Sequence, residues 1–270
     1  MRGIGLALGG GGVKGFAHIG VLRVLKREKI PIGAICGTSM GAIIGGLYSL
    51  NEDLEKVESM VFGLLEREGF DQLAKPDKKH LPFDIKGYRD INKMEKKMKE
   101  SLPDKEMKDT KVPFVAVATD LSNGARVVIK EGSMRDALSA SSSVPGVLDP
   151  VKYREKYLVD GILSDNVPVR EVKKMGAKKI LAVHVTPSIS FKESPKGRID
   201  VLLKSFLLML NRMSLGSGDE ADLLLEPDLE VIPYADFRYA RLCADLGEKT
   251  AGENIEKIKK MVSLLDLLFR

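Results

Sequence analysis

The first fifty residues constrain the fold more than any other part of this sequence. A short apolar run at residues 3–8 is followed by four glycines, an amphipathic stretch at 13–29 and a second apolar run at 32–36. A strand, a loop, a helix and a strand in this order form the unit that builds a parallel sheet. The sequence therefore predicts an α/β fold with a mainly parallel central sheet.

Later apolar runs extend this sheet. They lie at residues 112–119, 126–130, 157–159 and 180–185. Several of them are apolar at both alternating positions, which is typical of strands that are buried on two faces. Helical patterns lie between the runs at 133–142 and 169–175, and Gly176 after the second is a suitable helix end.

Residues 52–111 differ in character, because 14 Lys or Arg and 15 Asp or Glu are interspersed there. Leu54, Val57, Val61 and Leu65 recur at helical spacing, so we expect a helix that either covers the rest as a cap or is an ordinary surface helix. The balanced charge argues against a nucleic-acid patch. We predict a single domain over residues 1–270 with this segment as a helical insertion.

The overall composition excludes several classes of protein. With 44% hydrophobic and 30% charged residues, the chain is neither disordered nor fibrous. Its two cysteines cannot form a disulfide scaffold, which predicts a cytoplasmic protein, compatible with peripheral contact at the inner membrane face. Residues 30–50 carry no charge, but five glycines and Pro31 make a continuous membrane-spanning helix unfavourable.

Gly37-Thr38-Ser39-Met40-Gly41 fits the pattern G-x-S-x-G and joins an apolar run to a helix-like run at 42–50. A serine on such a tight strand-to-helix turn projects at the carboxyl end of the strand. The following helix start favours negative charge that develops beside the serine. Ser39 is therefore a candidate nucleophile, and the alternative is a purely structural glycine turn.

The glycine loop has two interpretations, both of which use backbone amides left accessible by missing side chains. Gly10, Gly12 and Gly15 satisfy the dinucleotide pattern G-x-G-x-x-G. A dinucleotide-binding loop is normally accompanied by an acidic residue at the end of the second strand. This chain has the serine turn at that place instead. Alternatively, the amides of Gly10, Gly11 and Gly12 form an oxyanion hole for a substrate attacked by Ser39.

A nucleophilic serine needs a base, and this chain has three histidines, His18, His80 and His184. The order Ser39, Asp160, His184 matches that of α/β-hydrolases, although His184 also fits a buried core histidine. Asp160 is the preferred base, since it ends an apolar strand and precedes a glycine. In a desolvated pocket its pKa rises and proton transfer from the serine becomes feasible. The alternative is an aspartate that only forms a turn.

Taken together, these segments resemble the patatin-like phospholipase family. The resemblance lies in three blocks in order: Gly10-Gly11-Gly12-Val13-Lys14-Gly15, Gly37-Thr38-Ser39-Met40-Gly41 and Asp160-Gly161. Residues 140–146 and Asn166-Val167-Pro168 are similar to further segments of that family. The resemblance implies a three-layer α/β/α fold and hydrolysis of lipid carboxylic esters, of the phospholipase A or lysophospholipase type.

The resemblance also implies the roles of individual residues. Ser39 is the nucleophile and Asp160 is the base of a dyad without histidine. The oxyanion hole is formed by Gly10, Gly11 and Gly12. No cofactor and no metal are implied. The alternative function is a nucleotide-binding or regulatory protein that uses the glycine loop without hydrolase activity.

One residue departs from the family pattern. Ile162 follows Asp160-Gly161, where the family usually has a second glycine or an alanine. We expect this bulky residue to narrow the pocket or to shift Asp160.

Two segments bear on partners other than a lipid ester. Residues 192–213 combine basic and apolar side chains, which is typical of a helix that lies on anionic lipid or of one packed on the sheet or at a dimer contact. The apolar repeat at 255–269 is compatible with another packed helix or with a homo-oligomer. No feature indicates nucleic acid as a partner.

Overall fold

The computed structural model describes residues 2–68, 99–186, 197–216 and 218–262, together with 188 and 194. Within these described residues, eight strands form one sheet, which is flanked by helices. The strands are β1 (Ile4–Leu8), β2 (Ile32–Thr38), β3 (Phe114–Asp120), β4 (Arg126–Ile129), β5 (Val151–Tyr153), β6 (Lys156–Asp160), β7 (Ile180–Val183) and β8 (Leu223–Leu225). The α-helices are α1 (Ala17–Arg27), α2 (Met40–Asn51), α3 (Leu54–Glu68), α4 (Met134–Ser141), α5 (Val169–Lys174), α6 (Arg198–Ser214), α7 (Ala240–Glu253) and α8 (Ile255–Met261).

The sheet has a parallel part and an antiparallel part. Its order is β5-β6-β3-β2-β1-β7-β8, with β4 also paired to β3. Strands β3, β2, β1, β7 and β8 run parallel to one another, as predicted. The pairs β3–β4, β3–β6 and β5–β6 are antiparallel. The difference follows from the short connections after β3 and β5, because a tight turn can join only antiparallel strands. The short strands β5 and β8 were not predicted.

Two apolar layers cover the sheet. Leu6 and Leu8 of β1 pack into one core cluster, while Ala7 between them belongs to a second. Helices α1, α2 and α7 contribute to the first cluster, and α5 contributes Val169 and Val172 to the second. Burial on both faces explains why the strands are apolar at consecutive positions.

The charged segment at 52–111 is described only in part. Helix α3 is the helix predicted from the apolar spacing, and its Leu54, Val57 and Val61 are buried. Residues 69–98 lie outside the described residues, so the extent of the insertion stays a prediction.

Residues 30–50, the longest uncharged stretch, form β2 and most of α2 inside the core. In the described part of the chain, no helix combines the length and the apolar character that a bilayer crossing requires. Cys36 and Cys243 are both buried and unpaired.

Candidate active site

Ser39 occupies the sharp turn between β2 and α2 that the G-x-S-x-G pattern predicts. Its φ of 54° and ψ of −123° are rare for a residue with a side chain. A Cβ atom on Gly41 would lie 2.2 Å from the carbonyl oxygen of Leu8, and one on Gly37 would lie 2.5 Å from the amide of Ala42. The turn can therefore form only because both flanking residues are glycines.

The antiparallel strand β6 brings Asp160 to this turn. Asp160 pairs with Ala118 on β3, while Thr38 pairs with the preceding Val117, so the aspartate lies at the level of the serine. The hydroxyl of Ser39 donates a hydrogen bond of 2.6 Å to Oδ2 of Asp160. The structure thus joins the two side chains that the sequence predicted to meet.

The second carboxylate oxygen of Asp160 is also bonded. Oδ1 accepts a hydrogen bond of 2.9 Å from the amide of Ile162. A side chain on Gly161 would collide with the backbone, because its Cβ would lie 2.3 Å from the carbonyl oxygen of Val117. Ile162 is buried, and its amide supports the carboxylate. The effect of its side chain on the pocket stays a prediction.

Burial sets the proton affinity of Asp160, whose side chain is almost inaccessible to solvent. Desolvation raises the pKa of the carboxyl to about 7, and the hydrogen bonds from Ser39 and Ile162 partly oppose that rise. A carboxylate with a pKa near neutrality can accept a proton at neutral pH and release it again. The structure therefore gives Asp160 the acid–base properties that a general base needs.

The glycine loop lies directly against Ser39, since a Cβ on Gly10 would be 3.0 Å from the Cβ of Ser39. The amide of Gly10 is engaged, because it donates to Oδ1 of Asn166 at 2.9 Å. The amides of Gly11 and Gly12 make no hydrogen bond to another described residue. These two amides are the unengaged donors of the loop, and Gly10 differs from them in this structure.

Two buried side chains hold the loop in place. Asn166 accepts from Gly10 and donates through Nδ2 to Oγ1 of Thr186 at 3.2 Å. Nε2 of His18 lies 2.7 Å from the carbonyl oxygen of Gly9, to which it donates. Burial lowers the pKa of His18 to about 4, so the imidazole is neutral. The sequence offered His18 only as one of three histidines that could act as a base, and it gave Asn166 no role in the site.

Ser141 at the end of α4 is a further supporting residue that the sequence did not reveal. Its Oγ accepts a hydrogen bond of 3.0 Å from the amide of Ser39 and donates one of 2.6 Å to the carbonyl oxygen of Val117. Ser141 therefore ties the strained backbone of the turn to the neighbouring strand β3.

His184, the alternative base, lies elsewhere in the core. Its Nδ1 is 3.4 Å from Oε1 of Glu226, and its Nε2 is 3.5 Å from Oγ1 of Thr186. The hydroxyl of Ser39 donates to Asp160 instead. His80, the third candidate, lies outside the described residues.

An apolar cavity of about 80 Å³ lies beside the serine turn. It is lined by Phe16, Met40, Ile43, Leu47, Met60, Val61, Leu65, Ser101, Leu102 and Phe237. One of the lining residues, Met40, directly follows Ser39 in the chain. A larger cavity of about 450 Å³ shares Leu47 and Met60 with it but has a charged rim that includes Asp53 and Lys56.

Comparison with known sequences finds a matching family model and several similar proteins. The family model described as patatin-like phospholipase matches residues 6–173. Lysophospholipase NTE1 of Kluyveromyces lactis is 30% identical over 215 residues, which cover 77% of this chain and 14% of that protein. Lysophospholipase NTE1 of Debaryomyces hansenii is 31% identical over 182 residues, which cover 67% of this chain and 12% of that protein. The chain thus spans a small part of the length of these relatives.

Comparison with solved structures identifies a similar fold. VipD from Legionella pneumophila superposes with a TM-score of 0.57 over 97% of this chain and 67% of that chain. Only 11% of the aligned residues are identical, so the similarity concerns the fold alone.

Proposed function

This chain belongs to the patatin-like phospholipase family, and on that premise we propose that it hydrolyses carboxylic esters of lipids through Ser39 and Asp160. The observation that carries the proposal is the 2.6 Å hydrogen bond from the serine hydroxyl to the buried carboxylate. The strained turn around Ser39 supports it, because such a turn projects the serine hydroxyl beyond the end of a strand.

The first half of the reaction acylates the serine. Asp160 accepts the hydroxyl proton as Oγ of Ser39 attacks the carbonyl carbon of the ester. The resulting negative charge on the carbonyl oxygen is stabilised by hydrogen bonds from backbone amides. The bond to the alcohol oxygen then breaks, and the alcohol leaves with the proton that Asp160 returns.

The second half releases the fatty acid. A water molecule gives a proton to Asp160 while its oxygen attacks the acyl carbonyl, and the same amides stabilise the second oxyanion. The bond between the carbonyl carbon and Oγ breaks, and Asp160 returns the proton to Ser39. At the end of each half of the reaction, Asp160 is again an ionised carboxylate.

The donors of the oxyanion hole in this proposal are the amides of Gly11 and Gly12. The amide of Gly10 is bonded to Asn166, so its use would require that bond to break. We assign Gly10 a different part, which is to bring the loop close to Ser39, where a larger residue would collide.

The substrate class follows from the surroundings of the serine. The apolar cavity next to Met40 provides a place for an acyl chain, because burying each methylene group is favourable by roughly 0.8 kcal/mol. Relatives that align with most of this chain are named lysophospholipases. We therefore infer that a phospholipid or lysophospholipid is cleaved at its carboxylic ester.

A fluorophosphonate probe tests this function, because an activated serine displaces fluoride from its phosphorus, whereas an unactivated serine does not. We expect mass spectrometry to locate the adduct on Ser39 and the Ser39→Ala variant to remain unlabelled. Release of fatty acid from lysophosphatidylcholine should disappear in the same variant. Absence of labelling, combined with a thermal shift caused by NAD or ATP, would support the nucleotide-binding alternative instead.

A further inference from the structure

Helix α6 presents two different faces. Its inner face is buried at Leu210, Asn211 and Ser214, and the helix packs on the turn Gly161–Leu163 that follows Asp160. The residues of its outer face are exposed to solvent and recur at helical spacing. The exposed residues are Arg198, Val201, Leu202, Ser205, Leu208, Met209, Arg212 and Met213.

Most of the outer face is apolar. Leu202, Met209 and Met213 are 64%, 61% and 57% exposed. Val201 and Leu208 flank them with lower but still large exposure. A contiguous apolar patch of this kind on a folded protein indicates a surface that binds a partner or a membrane.

The charges on the outer face select the kind of partner. Arg198 and Arg212 are exposed near the two ends of the helix, and neither forms an ion pair with another described residue. Asp200 is the only acidic residue of the helix. Arginines beside exposed apolar side chains suit the anionic headgroups and the acyl boundary of a lipid bilayer.

A second copy of the chain fits this face less well. Symmetric packing of α6 on itself places Arg198 or Arg212 of one copy against an arginine of the other, whether the helices run parallel or antiparallel. Such like charges repel each other, whereas anionic lipid neutralises them.

The inner face connects the helix to the active site. Nδ2 of Asn211 donates a hydrogen bond of 2.8 Å to the carbonyl oxygen of Thr186, whose hydroxyl is bonded to Asn166. Asn166 in turn accepts from the amide of Gly10. The outer face therefore belongs to the helix that supports the glycine loop.

We propose that the outer face of α6 docks on the surface of an anionic lipid bilayer. The proposal rests on the proposed function, because an enzyme that cleaves lipid esters must reach them at a bilayer or a micelle. Docking through α6 places the helix that backs the glycine loop against the lipid that supplies the substrate.

Flotation with lipid vesicles tests the proposal without catalysis if every protein carries Ser39→Ala. Vesicles of phosphatidylcholine alone are compared with vesicles that also contain phosphatidylglycerol. We expect binding to the mixed vesicles. Leu202→Ser/Met209→Ser and Arg198→Gln/Arg212→Gln should each weaken that binding at least about tenfold.

Matched variants elsewhere on the surface serve as controls. Val231→Ser/Leu242→Ser removes two exposed apolar side chains that do not belong to α6. Lys249→Gln/Lys260→Gln gives the same net charge as the double arginine variant and changes exposed lysines on α7 and α8. Both controls should bind the mixed vesicles like the parent protein.

Other outcomes overturn the proposal. No binding to either vesicle, or equal binding by the α6 and control variants, contradicts it. A dimer that Leu202→Ser/Met209→Ser dissociates, without vesicle binding, identifies a second copy as the occupant. If vesicles bind through α6 but Ser39 of the unsubstituted protein does not react with a fluorophosphonate, the proposed function fails and the docking surface stands.

Discussion

Ser39 donates a 2.6 Å hydrogen bond to Asp160, although 121 residues separate the two in the chain. The serine is held on a strained turn, and the aspartate arrives on an antiparallel strand whose end lies at the same level. Because the aspartate is buried, its pKa lies near neutrality rather than in the acidic range.

The rate of ester hydrolysis should rise with pH through about 7 and then level off. Burial raises the pKa of Asp160 to about 7, and only the ionised carboxylate can take the proton of Ser39. The measurement is kcat/KM for a soluble short-chain nitrophenyl ester as a function of pH. His184→Gln should keep the same profile. A rate independent of pH between about 6 and 8 would argue against Asp160 as the base.

Asp160→Asn should stabilise the protein at alkaline pH. The folded protein binds the Asp160 proton more tightly than the unfolded chain, so this group's stabilising contribution is full below about pH 4 and is lost as pH rises through about 7. Asparagine does not ionise, so the variant does not lose this stability as the pH rises. Thermal unfolding should show a gain on the order of 2 to 4 kcal/mol above pH 7, and little gain near pH 4. An equal effect at both pH values would contradict the raised pKa.

Asn166→Ala should lower kcat while the protein remains folded. The substitution frees the amide of Gly10 and breaks the link to Thr186, so the loop that carries the oxyanion donors loses its position. Loss of one donor costs roughly 100-fold or more in rate, so we expect a fall of about 10- to 100-fold when a donor is only misplaced. Asn123→Ala, a change at an exposed asparagine, is the matched control. Unchanged kcat in the Asn166 variant would exclude a positioning role.

Val61→Phe should shorten the acyl chains that the enzyme accepts. Val61 lines the apolar cavity beside Met40, so a larger side chain there occupies space proposed for the substrate. Hydrolysis of long-chain lysophosphatidylcholine should fall at least about tenfold, whereas that of a nitrophenyl acetate should change little. Leu242→Phe on the exposed side of α7 is the control. Equal losses on both substrates would place the acyl chain elsewhere.

Sequence patterns predicted the parts of the site that depend on local order. Periodicity identified β2 and the start of α2, and the glycines on each side of Ser39 then required a tight turn between them. Likewise, the run of four glycines ahead of the first helix indicated backbone amides that are free of hydrogen bonds. These features are readable because each involves residues only a few positions apart.

The remaining parts depend on contacts between distant residues. Asn166 reaches the amide of Gly10 across 156 positions, and Ser141 reaches that of Ser39 across 102. An asparagine or a serine in a loop has many alternative partners in sequence, so no local pattern assigns these bonds. The antiparallel course of β6 was also missed, since it depends on a two-residue connection after a strand of three residues.

The most direct test of the Ser39–Asp160 dyad compares three single variants on one short-chain nitrophenyl ester. We expect Ser39→Ala and Asp160→Asn each to lower kcat by about 10⁴-fold or more, and His184→Gln to retain most of the activity. All three proteins should unfold cooperatively on heating, which excludes loss of structure as the cause. Activity that survives Asp160→Asn but disappears in His184→Gln would contradict the dyad and identify a histidine as the base.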